Sequence, residues 1–143
     1  MSFVTLVRHG QANTHARDEE SYDRLSDLGW QQARWLGEHF NQTGEVFARI
    51  YTGTMSRHIE TAEGIGAESP APVVRDPRLN EFSYWPLATA FRDQHGEPFP
   101  DGREDFITHL PRLLGAWRDG ILEDVPETFE AFESRVRDAL TEI

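Results

Sequence analysis

Arg8 and His9 stand side by side, directly after the apolar run "FVTLV" and directly before Gly10. A neutral imidazole is a good nucleophile and can carry a phosphoryl group on nitrogen. A guanidinium beside it offers a planar fork of donors that matches phosphate oxygens. A second arginine, Arg57, lies in "YTGTMSRHIETA", where a strand-like stretch passes into a helix-like one. N–H groups at a helix start favour an anion, and an arginine there adds a formal positive charge. A carboxyl group, Glu81, follows in "RLNEF", past a further strand-like stretch. Cleaving a phosphate ester needs a proton for the leaving oxygen and then a base for the attacking water, and a partly buried carboxyl can serve both steps. Each piece alone has a plainer explanation: a solvated strand end, a helix arginine paired with Glu60 or Glu63, and a loop glutamate. At three successive strand ends they make a coherent set for phosphoryl transfer.

These residues need a scaffold. Residues 3–7 read as a short central strand buried on both faces, ended by Gly10. Residues 11–24 are polar and turn-like. A helix then starts at the N-cap Ser26, with Asp27 in its first turn and Gly44 as its stop. Leu28, Ala33, Trp35, Leu36 and Phe40 mark its expected apolar face. A second strand is expected over residues 49–52, a helix over 54–67 and a third strand near Val73 and Val74, after the loop "SPAP". Strand and helix in alternation imply parallel strands with crossover helices, an α/β fold whose ligands sit beyond the carboxyl ends of the strands.

The second half reads differently. Residues 82–104, rich in aromatics, Pro and Gly, look irregular, and Phe82, Tyr84, Trp85, Phe91 and Phe99 could wall a pocket or form a satellite cluster. Phe106, Leu110, Leu113, Leu114 and Trp117 repeat at helical spacing, with Pro111 expected to begin or kink that helix. Phe129, Phe132, Val136, Leu140 and Ile143 mark a final amphipathic helix after Pro126. No linker-like stretch is evident, so residues 1–143 read as one α/β domain, with residues 82–125 as a loop-and-helix excursion over the site.

Composition narrows the partners. The 143 residues carry 25 acids against 14 basic residues, a net charge of −11, and the basic residues are arginines scattered without a basic run. That field disfavours nucleic acid, although a few converging arginines can still hold one phosphate. With no cysteine, disulfides, thiolate chemistry and Cys-type zinc sites are excluded, which suits a reducing cytoplasm. Neither a signal peptide nor a membrane span is read.

"LVRHGQA", "LSDLGWQQA", "YTGTMSRHIETA" and "RLNEF", in this order, resemble the histidine phosphatase superfamily, the phosphoglycerate mutase-like proteins. The resemblance covers residues 3–83 closely and continues more loosely through "ETFEAFESRVRDAL". It implies a three-layer sandwich with a mostly parallel central sheet and helices on both faces. His9 would become phosphohistidine, Arg8 and Arg57 would grip the transferred phosphoryl oxygens, and Glu81 would be proton donor and then base. No metal or other cofactor is implied. Asn13 and Thr14 lie near enough to line the pocket, without a firm role.

Three departures matter. Gln11 and His15 stand where the mutase branch has Glu and Asn, and "NEFSYWPL" lacks the glycine spacing that follows the mutase glutamate. Both favour a phosphatase-type member. The family's second histidine, expected after a strand that follows the last helix, does not occur before Ile143. The resemblance therefore implies a chain truncated before that strand, a sheet incomplete at its C-terminal end, and an open edge at residues 3–7 that favours homo-oligomer formation and low activity. Among the other histidines, His58 and His39 read as structural or exposed helix residues, and His95 and His109 lie in the variable excursion. The resulting expectation is a cytoplasmic phosphomonoesterase acting on a phosphorylated small molecule or phosphoprotein through His9. The alternatives are mutase-type phosphotransfer and a non-catalytic phosphate-binding module.

Overall fold

A parallel strand–helix–strand crossover frames the N-terminal half, in a computed structural model that describes residues 3–66 and 71–143. Strand β1 (Ile50–Thr52) leads into helix α3 (Ser56–Ile65), and the chain returns as β2 (Val73–Arg75), parallel to β1. The register pairs Ile50 with Val73, Tyr51 with Val74 and Thr52 with Arg75. A 3-10 turn, Pro77–Leu79, follows β2. The expected α/β class is borne out. The expected helix end at residue 67 lies outside the described residues.

Helix α1 (Glu19–Tyr22) and helix α2 (Asp27–Thr43) precede the crossover. The Ser26 hydroxyl accepts from Gly29 N at 3.1 Å, and Gly44 closes α2 in the left-handed region at φ 71°. Both ends are those the sequence marks. The buried face matches only in part: Ala33 and Phe40 are buried as expected and Gly29 and Gly37 join them, whereas Leu28 and Trp35 are exposed. The reason is the closeness of the backbones. A Cβ on Gly37 would strike the Ile65 carbonyl, and a Cβ on Gly64 would meet that of Ala33. Helices α2 and α3 pack closely through Ala33, Gly37 and Gly64, with the Trp30 ring beside Gly64.

Residues 3–7 correct a second expectation. They form no strand, and Phe3, Val4 and Leu6 are 83%, 62% and 80% exposed. An apolar run becomes a central strand only where neighbours supply ladder hydrogen bonds on both edges and cover both faces. Among the described residues the sheet has two strands, β1 and β2, and the 3–7 run pairs with neither.

The chain divides into two compact units, Met1–Asn80 and Glu81–Ile143. The second is helical: α4 (Tyr84–His95), α5 (Arg103–Arg118) and α6 (Phe129–Glu142). Its core is Leu87, Ala88, Phe91, Leu113, Ala116, Trp117 and Leu122. The Trp117 indole donates to the Glu127 carbonyl at 2.8 Å, which satisfies its one donor. Helix α4 replaces the irregular segment expected at residues 82–104. Pro86 falls in the first turn of α4, where the missing N–H has no intrahelical partner to lose, and Gly96 closes the helix at φ 70°. Pro111 does not begin α5 but sits inside it; its ring nitrogen forgoes one helix bond while Leu113 beyond it is fully buried.

His109 is buried in this unit, 5% exposed. Its ring lies 6.1 Å from that of Tyr84 and 5.8 Å from that of Phe91, and Nδ1 meets the Tyr84 hydroxyl at 3.4 Å. Burial lowers its pKa from the ordinary 6.5; nearby Glu97 works against that and Arg112 with it. The folded state therefore favours the neutral ring. Below about pH 6.5 the unfolded chain binds a proton that the folded chain resists, so stability falls as pH drops. In urea unfolding at about pH 7.5 and pH 5.5, the His109→Leu variant is expected to lose less stability on acidification than the wild type. Equal losses would contradict this.

Candidate active site

The stretch after His9 is tied down by non-local bonds. Gly10 N donates to Thr61 Oγ1 at 3.0 Å, and the same hydroxyl donates to the Arg57 carbonyl at 2.6 Å. One side chain on α3 thus joins the His9–Gly10 corner to the backbone of Arg57. Further along, Ala12 bridges Leu25, Asn13 N donates to Arg24 O at 2.9 Å, and Ser26 N donates to Gln11 O at 2.9 Å. Glu60 accepts from Leu25 N at 2.6 Å. The polar stretch between Gln11 and Ser26 is therefore an anchored loop. A close approach also requires glycine at residue 10, since a Cβ there would strike the Gly29 carbonyl.

His9 is half-buried, and its Nδ1 lies 2.6 Å from the Gly10 carbonyl oxygen. A carbonyl only accepts, so Nδ1 carries the proton. In the neutral ring the lone pair is then on Nε2. That is the tautomer a nucleophilic imidazole needs, and it is set by the main chain itself. Arg8, its neighbour, is exposed.

Arg57 is almost fully enclosed, 1% exposed, in the first turn of α3. Its Nη1 donates to Asp23 Oδ1 at 3.0 Å and to Glu19 Oε1 at 3.4 Å. The guanidinium carbon lies 5.0 Å from the centre of the Tyr22 ring, a cation–π distance. Asp23 also caps α3: Ser56 N and Arg57 N donate to its carboxylate at 2.9 and 3.1 Å. Burial pushes the Asp23 pKa up, but these N–H groups and the Arg57 charge outweigh it, so the carboxyl is held below its ordinary value. The anion expected at the start of α3 is thus one of the protein's own carboxylates. The pairing of Arg57 with Glu60 or Glu63 is not formed, because Glu60 serves the loop and the guanidinium turns toward residues 19–23.

His58, expected to be a structural or exposed helix residue, is half-buried, and its ring lies 5.8 Å from that of His9, tilted by 38°. Successive helix side chains diverge by roughly 100°, and here that divergence sends Arg57 to the carboxylates and His58 to His9. Only the neighbouring loop decides which of the two faces His9, so the sequence holds no local signal for it. Glu81 is half-buried at the start of the second unit, two residues beyond the Pro77–Leu79 turn. Asn13 holds the loop by donating to the Ser21 carbonyl at 2.8 Å, and Thr14 is exposed. His39 and His95 are exposed helix residues. Among the described residues no group of His, Asp or Glu is arranged to hold a metal ion, and no helix is long and apolar enough to cross a membrane.

Residues 4–143 match the family model of the histidine phosphatase superfamily (branch 1). No match is found among the curated proteins. Several solved structures are similar. An Escherichia coli K-12 protein, provisionally assigned as an alpha-ribazole-5'-P phosphatase, superposes with a TM-score of 0.66 at 19% identity, over 95% of this chain and 64% of that one. A Bacillus stearothermophilus protein, YhfR, gives 0.60 at 22% identity, over 94% and 63%. A mycobacterial glucosyl-3-phosphoglycerate phosphatase, in complex with VO3, gives 0.56 at 24% identity, over 94% and 63%. At these identities the likeness is one of fold, and the chain spans less than two thirds of the length of each of these proteins.

Proposed function

Since the chain belongs to the histidine phosphatase superfamily, branch 1, we propose that it is a phosphomonoester hydrolase that works through a phosphohistidine on His9. The observation that carries this reading is the bond between His9 Nδ1 and the Gly10 carbonyl. It protonates the inner nitrogen and leaves the nucleophilic lone pair on Nε2. In the first step the Nε2 pair attacks phosphorus and the P–O ester bond breaks. Glu81, protonated, gives its proton to the leaving oxygen. In the second step water attacks the phosphohistidine. Glu81, now a carboxylate, takes the water proton, and the P–N bond pair returns to Nε2. Arg8 and Arg57 hold the three equatorial oxygens, whose charge grows in the transition state. The substrate is a phosphorylated small molecule, in keeping with the phosphatases among the similar structures.

A generic aryl phosphate tests the reading. Phosphate is expected to be released with turnover, and a phosphorylated three-carbon acid is expected to lose its phosphate to water. Isomerisation of that acid without net phosphate release would select mutase-type transfer instead. Tight phosphate binding with no release from either compound would select a non-catalytic binding module.

A further inference from the structure

We infer that residues 19–23 set the anion affinity of Arg57: Asp23 is a positioning residue that locks the guanidinium, and Glu19 is a competitor that an incoming phosphoryl oxygen displaces. This rests on the reading that Arg57 is a phosphate-binding residue. The two carboxylates hold the arginine unequally. Asp23 accepts from Ser56 N, Arg57 N and Arg57 Nη1 at 2.9, 3.1 and 3.0 Å, so withdrawing it would uncap α3 as well as free the side chain. Glu19 Oε1 reaches the same Nη1 at 3.4 Å, the longer of these two contacts to that nitrogen. Tyr22, between them in sequence, places its ring 5.0 Å from the guanidinium carbon.

Charge gives the consequence. One guanidinium with two carboxylates sums to −1, which repels a phosphate dianion. Moving Glu19 aside removes one negative charge from beside the guanidinium, and a phosphoryl oxygen can take its place. The enclosed guanidinium is screened little by water, so the sign of the local charge matters more than on an open surface. Affinity for phosphate is therefore held down by an internal competitor. Product inorganic phosphate, bound by the same group, is released more readily for the same reason.

The test compares binding of inorganic phosphate, by calorimetry at about pH 7.5, in the wild type, Glu19→Gln and Glu20→Gln. Glu20 is exposed on the same turn and controls for loss of one charge at the surface. Glu19→Gln is expected to bind phosphate about fivefold or more tightly, with KM for an aryl phosphate lowered. Glu20→Gln is expected to match the wild type. Equal affinity of wild type and Glu19→Gln, an equal gain in Glu20→Gln, or no phosphate binding by any of the three would overturn the inference. The expected binding pattern in a protein that hydrolyses no aryl phosphate would overturn the catalytic reading and leave this one standing.

Discussion

Replacing His9 by alanine is expected to reduce phosphate release from an aryl phosphate by about a thousandfold or more, with the fold intact. Loss of a nucleophile that forms a covalent intermediate removes the reaction path itself, and losses of that size are typical. The His9 ring is half-buried and reaches its own chain through the Gly10 carbonyl. The loop is held by bonds through Gly10 N, Gln11 O and Leu25 N, all main-chain atoms that the substitution leaves in place. The variant should therefore unfold in urea near the wild-type midpoint. His58, whose ring lies 5.8 Å from that of His9, provides an internal check. If it could act as the nucleophile, His9→Ala would keep substantial activity, and equal rates for the two proteins would end the account of His9.

Arg57→Ala is expected to be the most destabilising single change, by about 3–5 kcal/mol, because it strands partners of a buried ion pair. Asp23 and Glu19 would lose their cation, and the Tyr22 ring its guanidinium. Denaturant unfolding at neutral pH measures this. The pH dependence gives the sign. Asp23 is held below its ordinary pKa, so its contribution to stability is present above the unfolded value of about 3.9 and is lost as pH falls through the folded value. Without Arg57 part of that contribution is gone, and the wild-type advantage should narrow on acidification toward pH 3. Arg57→Lys keeps the charge but not the planar fork. It should fold more stably than Arg57→Ala and still lose about a hundredfold in kcat/KM. Wild-type stability in Arg57→Ala would mean that the buried pair contributes nothing.

What the sequence made legible was mostly local. Ser26 and Gly44 end α2 by capping chemistry that depends on a few adjacent residues. The apolar stretches around Ile50 and Val73 and the helix between them gave the parallel crossover. In the buried face of α2, Ala33 and Phe40 follow from apolar periodicity, but Gly29 and Gly37 do not. The spacing of Gly29, Ala33 and Gly37 was available in the sequence, but small residues at a helix seam are recognised by what approaches them, here Ile65 and Gln11. Residues 3–7 show the opposite error. Their composition suits a core strand, yet pairing is a property of neighbours and not of the run itself. Helix α4 was hidden by Pro86 and the aromatics, although Pro in a first turn is compatible with a helix. In the site, His9 and Arg57 were readable as candidates from their place after apolar runs. The partners of Arg57 were not, since Asp23 and Glu19 lie 34 and 38 residues away and reach it only through the folded loop.

The central claim is that a phosphoryl group passes through nitrogen on His9. The direct measurement is to mix the protein with a phosphorus-labelled aryl phosphate, quench in alkali within the first turnovers, and map the label by peptide mass analysis. A phosphoramidate survives alkali and is lost in acid, unlike a phosphoserine or phosphothreonine. The account predicts an acid-labile label on the peptide that contains His9, absent from His9→Ala. Label on another residue, or turnover with no protein-bound phosphate at any time point, would contradict it.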